Sequence, residues 1–217
     1  MKKSFLLLAV ALFLLSCGGN NNSRKAGSEK NDDASGMHKE GNSPMAQEHR
    51  QKHIHDLHDA MDQMMIGMKQ DKYSGDADYD FAIMMKRHHQ GAMDMAKCVI
   101  DNGENTQIRE YAKKMIDDQL GDVQKFDRYI QDHTKAKGNS DFWKKSLDMM
   151  TAVNDMKPEG KTLNETFALI MIPHHQDAIK MSQEYLKVAK DADMKAVADK
   201  IIREQTKEIA DLKGWVK

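Results

Sequence analysis

Apolar residues recur along this chain three and four positions apart, the period of an amphipathic α-helix, in six successive stretches. From about Ala46 to Lys69 the apolar face is Leu57, Met61, Met64, Met65 and Met68. From about Asp78 to Asn102, at ~100° per residue, Phe81, Met84, Met85, His88, Ala92, Met95 and Val99 share roughly a third of the circumference. Lys86, Gln90, Asp94 and Lys97 lie opposite, and Gly103 marks the end of the helix. Further helices are predicted over about 104–133, 141–156, 163–190 and 193–216, each with one apolar stripe. No stretch alternates with the period of a strand, so the predicted fold is all-α.

Two of these helices are copies. Phe81-Ala82-Ile83-Met84-Met85-Lys86-Arg87-His88-His89-Gln90-Gly91-Ala92-Met93-Asp94-Met95 returns 86 residues later as Phe167 to Met181, with Phe, Ala, Met, His, His, Gln, Ala and Met at the same spacing. Ala112, Ile116 and Gln119 return as Ala198, Ile202 and Gln205 at the same offset, so the duplication includes the following helix. Repeat one covers about 52–134 and repeat two about 138–217, together a bundle over 49–217. Two long helices per repeat close into a four-helix bundle, with the remaining segments as additional short helices. Its middle is expected to hold a polar layer, because His88 and His174 fall at the centres of their apolar stripes, with His89 and His175 at the edges. Gln119 and Gln205 are central on theirs. Pro173 removes one helical N–H just before His174 and predicts an irregularity there.

Composition adds an address. Lys2 and Lys3 precede the apolar run Phe5 to Leu15, too short to span a bilayer, so 1–16 reads as a signal peptide. Leu14-Leu15-Ser16-Cys17 resembles the lipobox of bacterial lipoproteins. The resemblance makes Cys17 the lipidated first residue of a mature protein in the cell envelope, periplasmic or on the outer surface, tethered through lipid. Residues 17–48, rich in Gly, Asn, Ser and charge, read as a disordered tether. With 33 basic against 34 acidic residues there is no cationic surplus to neutralise phosphates, so a nucleic-acid partner is excluded.

The chemistry lies in sulfur and imidazole. The chain has 18 methionines and only two cysteines. Buried imidazoles must be paired, and two readings satisfy that. In one, the His and Gln side chains bond each other and the protein is a non-catalytic structural or interaction bundle. In the other, His88 and His174 ligate a metal with thioethers of Met85, Met95, Met171 and Met181 on the same stripes. Thioether plus imidazole selects Cu(I) or Ag(I), so copper is the first choice and zinc, which can use the histidines alone, the second. Six methionines and five histidines crowd Met37 to Met68. This density predicts an accessory metal-capturing arm through His49, His53, His55, His58, Met61, Met64, Met65 and Met68, with His49/His53 and His55/His58 paired one turn apart. Cys98 falls off the stripe centre and reads as a semi-buried small hydrophobe.

No enzyme is expected. The chain lacks the Glu-x-x-His pairs of di-iron bundles, and it contains neither a His-Glu-x-x-His nor a Gly-x-Ser-x-Gly motif. The doubled Phe-x-x-x-Met-x-x-His-His-Gln-x-Ala-x-x-Met pattern resembles the bacterial family called domain of unknown function 305, over about Gln51 to Lys217. That resemblance implies a ferritin-like bundle without ferritin's iron ligands, and exported copper binding and copper tolerance through Met and His. Carried onto this chain it implies His88, His89, Met85, Met93, Met95, His174, His175, Met171 and Met181 as ligands. Ile179 stands where repeat one has Met93, so the repeats are not equivalent as ligand sets.

Overall fold

The computed structural model describes residues 43–135 and 137–216; the signal segment, Cys17 and the tether as far as residue 42 lie outside the described residues. Six helices follow one another: α1 Pro44–Gln70, α2 Ala77–Asn102, α3 Thr106–Asp132, α4 Phe142–Asn154, α5 Leu163–Leu186 and α6 Ala192–Lys213. No strand occurs among the described residues, and no helix there is long and apolar enough to cross a membrane.

Helix starts follow local chemistry. Asp76, Asn105, Thr162 and Asp191 each accept a bond from the first-turn N–H groups that have no intrahelical partner. Ser43 does the same for α1, with Pro44 in the first turn where its missing N–H costs nothing. That cap starts the helix inside the segment 17–48 that the composition assigns to a tether. Helix α5 stops at Leu186, short of the predicted Lys190, because the chain turns there and the N–H groups of Lys190 and Asp191 both donate to Asp78 Oδ1 (3.0 and 3.2 Å).

Helices α2 and α5 form the centre. Phe81, near the start of α2, stacks on Tyr185, near the end of α5 (centroids 4.0 Å, 5°), while the mid-helix residues His88 and His174 meet at 3.7 Å. The two helices therefore run antiparallel. Each packs on the second helix of its own repeat, α2 on α3 and α5 on α6. Lys200 of α6 reaches Asp122 of α3 (2.9 Å) and completes a four-helix arrangement. Of the two additional helices α4 is short, whereas α1, at 27 residues, is as long as α3 and lies along α2.

Both interhelical loops before the HHQ helices are held from below by a buried acceptor. Asp80 accepts from Ser74 N, Ser74 Oγ and Gly75 N (2.7–3.0 Å), and Thr166, at the equivalent place in repeat two, accepts from Gly160 N (2.9 Å). The first of these loops also pairs with the connection between repeats, Gly138 N–H to Ser74 O and Ser140 N–H to Gly75 O. Gly75 has φ +76°, and a Cβ there would lie 2.6 Å from Gly138 O, so only glycine fits.

Candidate metal centre

The doubled motif places four imidazoles in the middle of the bundle. His88, His89, His174 and His175 are 1 % exposed or less. His88 and His174 face each other across the α2–α5 contact, with rings tilted by 35°. Helix periodicity puts His89 and His175 at the stripe edges, yet they are buried as deeply, because each faces the second helix of its own repeat. The His89 ring lies 6.0 Å from Phe126 and its Nε2 3.9 Å from Asp122 Oδ2 on α3. His175 Nε2 lies 3.1 Å from Glu208 Oε2 on α6.

Asp122 and Glu208 are themselves 86 residues apart, so the repeat unit is an imidazole–carboxylate pair, and sequence reasoning missed both acids. The available signal was their place three residues after Gln119 and Gln205, which shares the duplication offset. On a helical wheel they sit at the edge of the stripe and look like solvated surface. In the structure Asp122 is 2 % exposed, held by Lys125 (3.1 Å) and Lys200.

Burial sets the protonation of the layer. Desolvation drives the pKa of His88 and His174 well below the ordinary imidazole value, and the neighbouring histidines push the same way. His89 is lowered to about 4 by burial, against the opposing pull of Asp122. These three rings are therefore neutral near pH 7, the form in which imidazole ligates a metal.

The hydrogen-bonded His–Gln layer does not form. Both ring nitrogens of His89 and His174, Nδ1 of His88 and of His175, both amide atoms of Gln119 and Oε1 of Gln205 are buried with no hydrogen-bond partner. Each such group costs about 1–3 kcal/mol when left unsatisfied. A layer built only to lock helix register would satisfy these groups within itself.

Sulfur lies on the helix stripes that carry these rings. Met84, Met85, Met95, Met171 and Met181 are fully buried. Met93, implied as a ligand by family resemblance, is only half-buried and lies on the flank of α2, because position 93 is turned away from the stripe that holds His88. Soft thioethers with neutral imidazoles fit Cu(I) or Ag(I). For tetrahedral zinc the layer offers no preformed set of nitrogen and oxygen donors. Zinc needs donors converging at about 2.0–2.3 Å on one point, and among the described residues the His, Cys, Asp and Glu donor atoms gather in threes within 4.8 Å only at His53, Asp56 and Cys98.

From Pro44 onward the expected capturing arm is a packed helix. Met61, Met64, Met65 and Met68 are buried against the bundle, Met64 directly over Gly91, where a Cβ would lie 2.7 Å from its Sδ. These sulfurs are core. His55 and His58, one turn apart in sequence, diverge: His55 is exposed beside Asp59 (3.5 Å), while His58 is buried with Nε2 3.1 Å from Pro158 O. His49 and His53 do meet, Nε2 to Nε2 at 3.3 Å.

Fold and site together define a class: an all-α bundle with a duplicated, buried imidazole–carboxylate–thioether centre. Matches to the model of the family described as "Domain of unknown function (DUF305)" span residues 20–130 and 78–216, and the chain belongs to that family. No curated protein matches it. Among solved structures it is similar to CopM in the Ag-bound form (by soaking), with 28% identity and a TM-score of 0.50 over 64% of this chain and 93% of CopM's. CopM in the Cu(I)-bound form matches at 27% identity, TM-score 0.50, over 64% and 94% of the two chains. The Cu(II)-bound form matches at 29%, TM-score 0.50, over 64% and 95%.

Proposed function

We propose that this protein is a non-enzymatic metal-binding bundle of the cell envelope, tethered through lipid on Cys17, that sequesters copper as Cu(I), with Ag(I) as its surrogate. The observation that carries the proposal is the central imidazole of each repeat, His88 and His174, buried and neutral with ring nitrogen left without a hydrogen bond, on stripes that also carry buried thioethers. His88 and His174 are the central ligands, His89 and His175 stand beside them, and Met85, Met95, Met171 and Met181 supply sulfur. Asp122 and Glu208 orient the outer imidazoles and balance the charge of an added cation. The copper- and silver-bound forms of CopM support the same metal for this chain at the level of the family fold. Thioethers suit an oxidising compartment, where paired thiols are lost to disulfides.

Titration with Ag(I) and with Cu(I) against a competing chelator tests this. The wild type is expected to bind at least tenfold more tightly than a variant with His88, His89, His174 and His175 all replaced by alanine. Because that variant removes four core side chains, a second one, Met85→Leu with Met171→Leu, keeps volume and fold. It is expected to weaken Cu(I) binding while leaving the thermal midpoint of the metal-free protein within a few degrees. Equal affinity in wild type and both variants would leave the layer as structure alone.

A further inference from the structure

The seam between α1 and α2 carries a second cluster of donors that the copper reading does not use. His53 and Asp56 stand one turn apart on α1, with Nδ1 3.0 Å from Asp56 Oδ2. Cys98 arrives from α2, its Sγ 3.8 Å from the His53 carbonyl. One donor atom from each of the three residues falls in a group with every separation within 4.8 Å. His53 and Cys98 are buried at 7 % and 1 % exposure, while the Asp56 side chain is 21 % exposed and forms the open edge.

The surroundings are those of a ligand set. A metal-bound histidine ordinarily donates its remaining ring N–H to a second group, which fixes tautomer and orientation. His49 Nε2, 3.3 Å from His53 Nε2, is placed to accept it. The amide of Asn102 lies 4.0 Å from Cys98 Sγ, a donor that favours thiolate. Lys52 Nζ contacts Asp56 Oδ2 at 2.9 Å and is half-exposed, so it can swing into solvent when a cation takes its place. Tetrahedral ligands around zinc stand about 3.3–3.8 Å apart. The His–Asp pair is already near that, and a rotamer-scale movement brings in the sulfur.

We propose that His53 Nδ1, the Asp56 carboxylate and the Cys98 thiolate form a second, chemically distinct metal site for a borderline divalent ion, zinc in the first place, with His49 positioning His53 and water in the fourth position. Its donors are nitrogen, oxygen and thiolate, where the central layer offers nitrogen and thioether. The site belongs to repeat one alone, because 86 residues on, the equivalents are Asn139, Phe142 and Glu184. Repeat two is thus an internal control, and the proposal does not depend on copper binding at the centre.

Co(II) serves as the probe, added to the full chain. The expected result is one Co(II) per chain, with a near-ultraviolet thiolate-to-cobalt charge-transfer band that Zn(II) abolishes on displacement. Cys98→Ala removes the band. Asp56→Asn and His49→Ala, at half-buried and exposed positions, weaken Co(II) and Zn(II) by at least tenfold with unchanged helical content. The variant lacking all four central histidines keeps the band, which separates failure of this site from failure of the copper centre. A band that survives Cys98→Ala overturns the proposal, as does the absence of any charge-transfer band in the wild type. Should Cys98→Ala misfold, Asp56→Asn decides: unchanged affinity rejects the site.

Discussion

Burial moves the acids and the bases of this core in opposite directions, and the two shifts act in different parts of the pH range. Asp177, 2 % exposed with Oδ1 making no hydrogen bond, is raised from 3.8 to about 7 by desolvation, with Lys180 Nζ 4.0 Å from that oxygen pulling the other way. Between pH 4 and 7 the folded protein therefore holds a proton that the unfolded chain has released, and stability falls as pH rises through that interval. His89 has the contrary sign: its folded pKa is about 4, so from pH 6.5 down to 4 the unfolded chain takes up a proton that the fold refuses, and stability falls as pH falls. The two limbs can be separated in the metal-free protein. Asp177→Asn is expected to remove the decline between pH 4 and 7, a component of about 2–4 kcal/mol between those limits. Urea unfolding of wild type and variant at pH 4, 5.5 and 8 measures it. An identical pH slope in both proteins would mean that Asp177 reaches water.

The seating of α1 on α2 rests on two glycines, one from each helix. Gly67 lies under the Arg87 side chain, whose guanidinium grips Asp71 with two bonds of 2.6 and 2.7 Å. Gly91 lies under Met64, and a Cβ at Gly91 would stand 2.8 Å from Met64 Cβ as well as 2.7 Å from its Sδ. Since Cβ moves only with its backbone, α1 must back away. Gly91→Ala is expected to destabilise by about 1–3 kcal/mol, outweighing the ~1 kcal/mol that alanine gains in a helix interior. Gly121, with nothing within 4 Å, provides the contrast: Gly121→Ala should stabilise by about 0.5–1 kcal/mol. Chemical denaturation of both variants checks the pair, and Gly91→Ala more stable than wild type would mean that the helices do not meet there. These contacts also show what the sequence makes legible. The stripes of α2, α3, α5 and α6 follow from period alone, and so does the burial of His88 and His174 at their centres. How α1 rolls on α2 depends on where two glycines meet larger side chains, and no single-helix pattern contains that. The same roll brings Cys98 to His53 and Asp56 across 45 and 42 positions of sequence, which is why Cys98 alone reads as filler. Asp122 and Glu208 were within reach of the 86-residue offset, but an acid at a stripe edge is ordinarily solvent-facing.

At the scale of the molecule, duplication raises the question of whether two repeats make two sites or one. The geometry favours one. His88 and His174 meet at 3.7 Å across the antiparallel contact of α2 and α5, so neither repeat holds its central imidazole apart from the other's. Lys200 of repeat two, bonded to Asp122 of repeat one, also ties the outer carboxylate of one half to the last helix of the other. In a shared layer, removing either central ring disables the same site. His88→Ala and His174→Ala should then each cost at least tenfold in Cu(I) or Ag(I) affinity, and the double variant should cost little more than either alone, the signature of residues acting as a unit. Independent sites predict the opposite: each single variant halves the stoichiometry at unchanged affinity, and the double abolishes binding. Calorimetric titration of all three variants distinguishes the cases. The same material gives a second readout, because an ion at 100 times its dissociation constant stabilises the native state by about 2.7 kcal/mol. For a shared layer, that gain falls sharply in each single variant, whereas separate sites would leave half of a two-ion stabilisation in place.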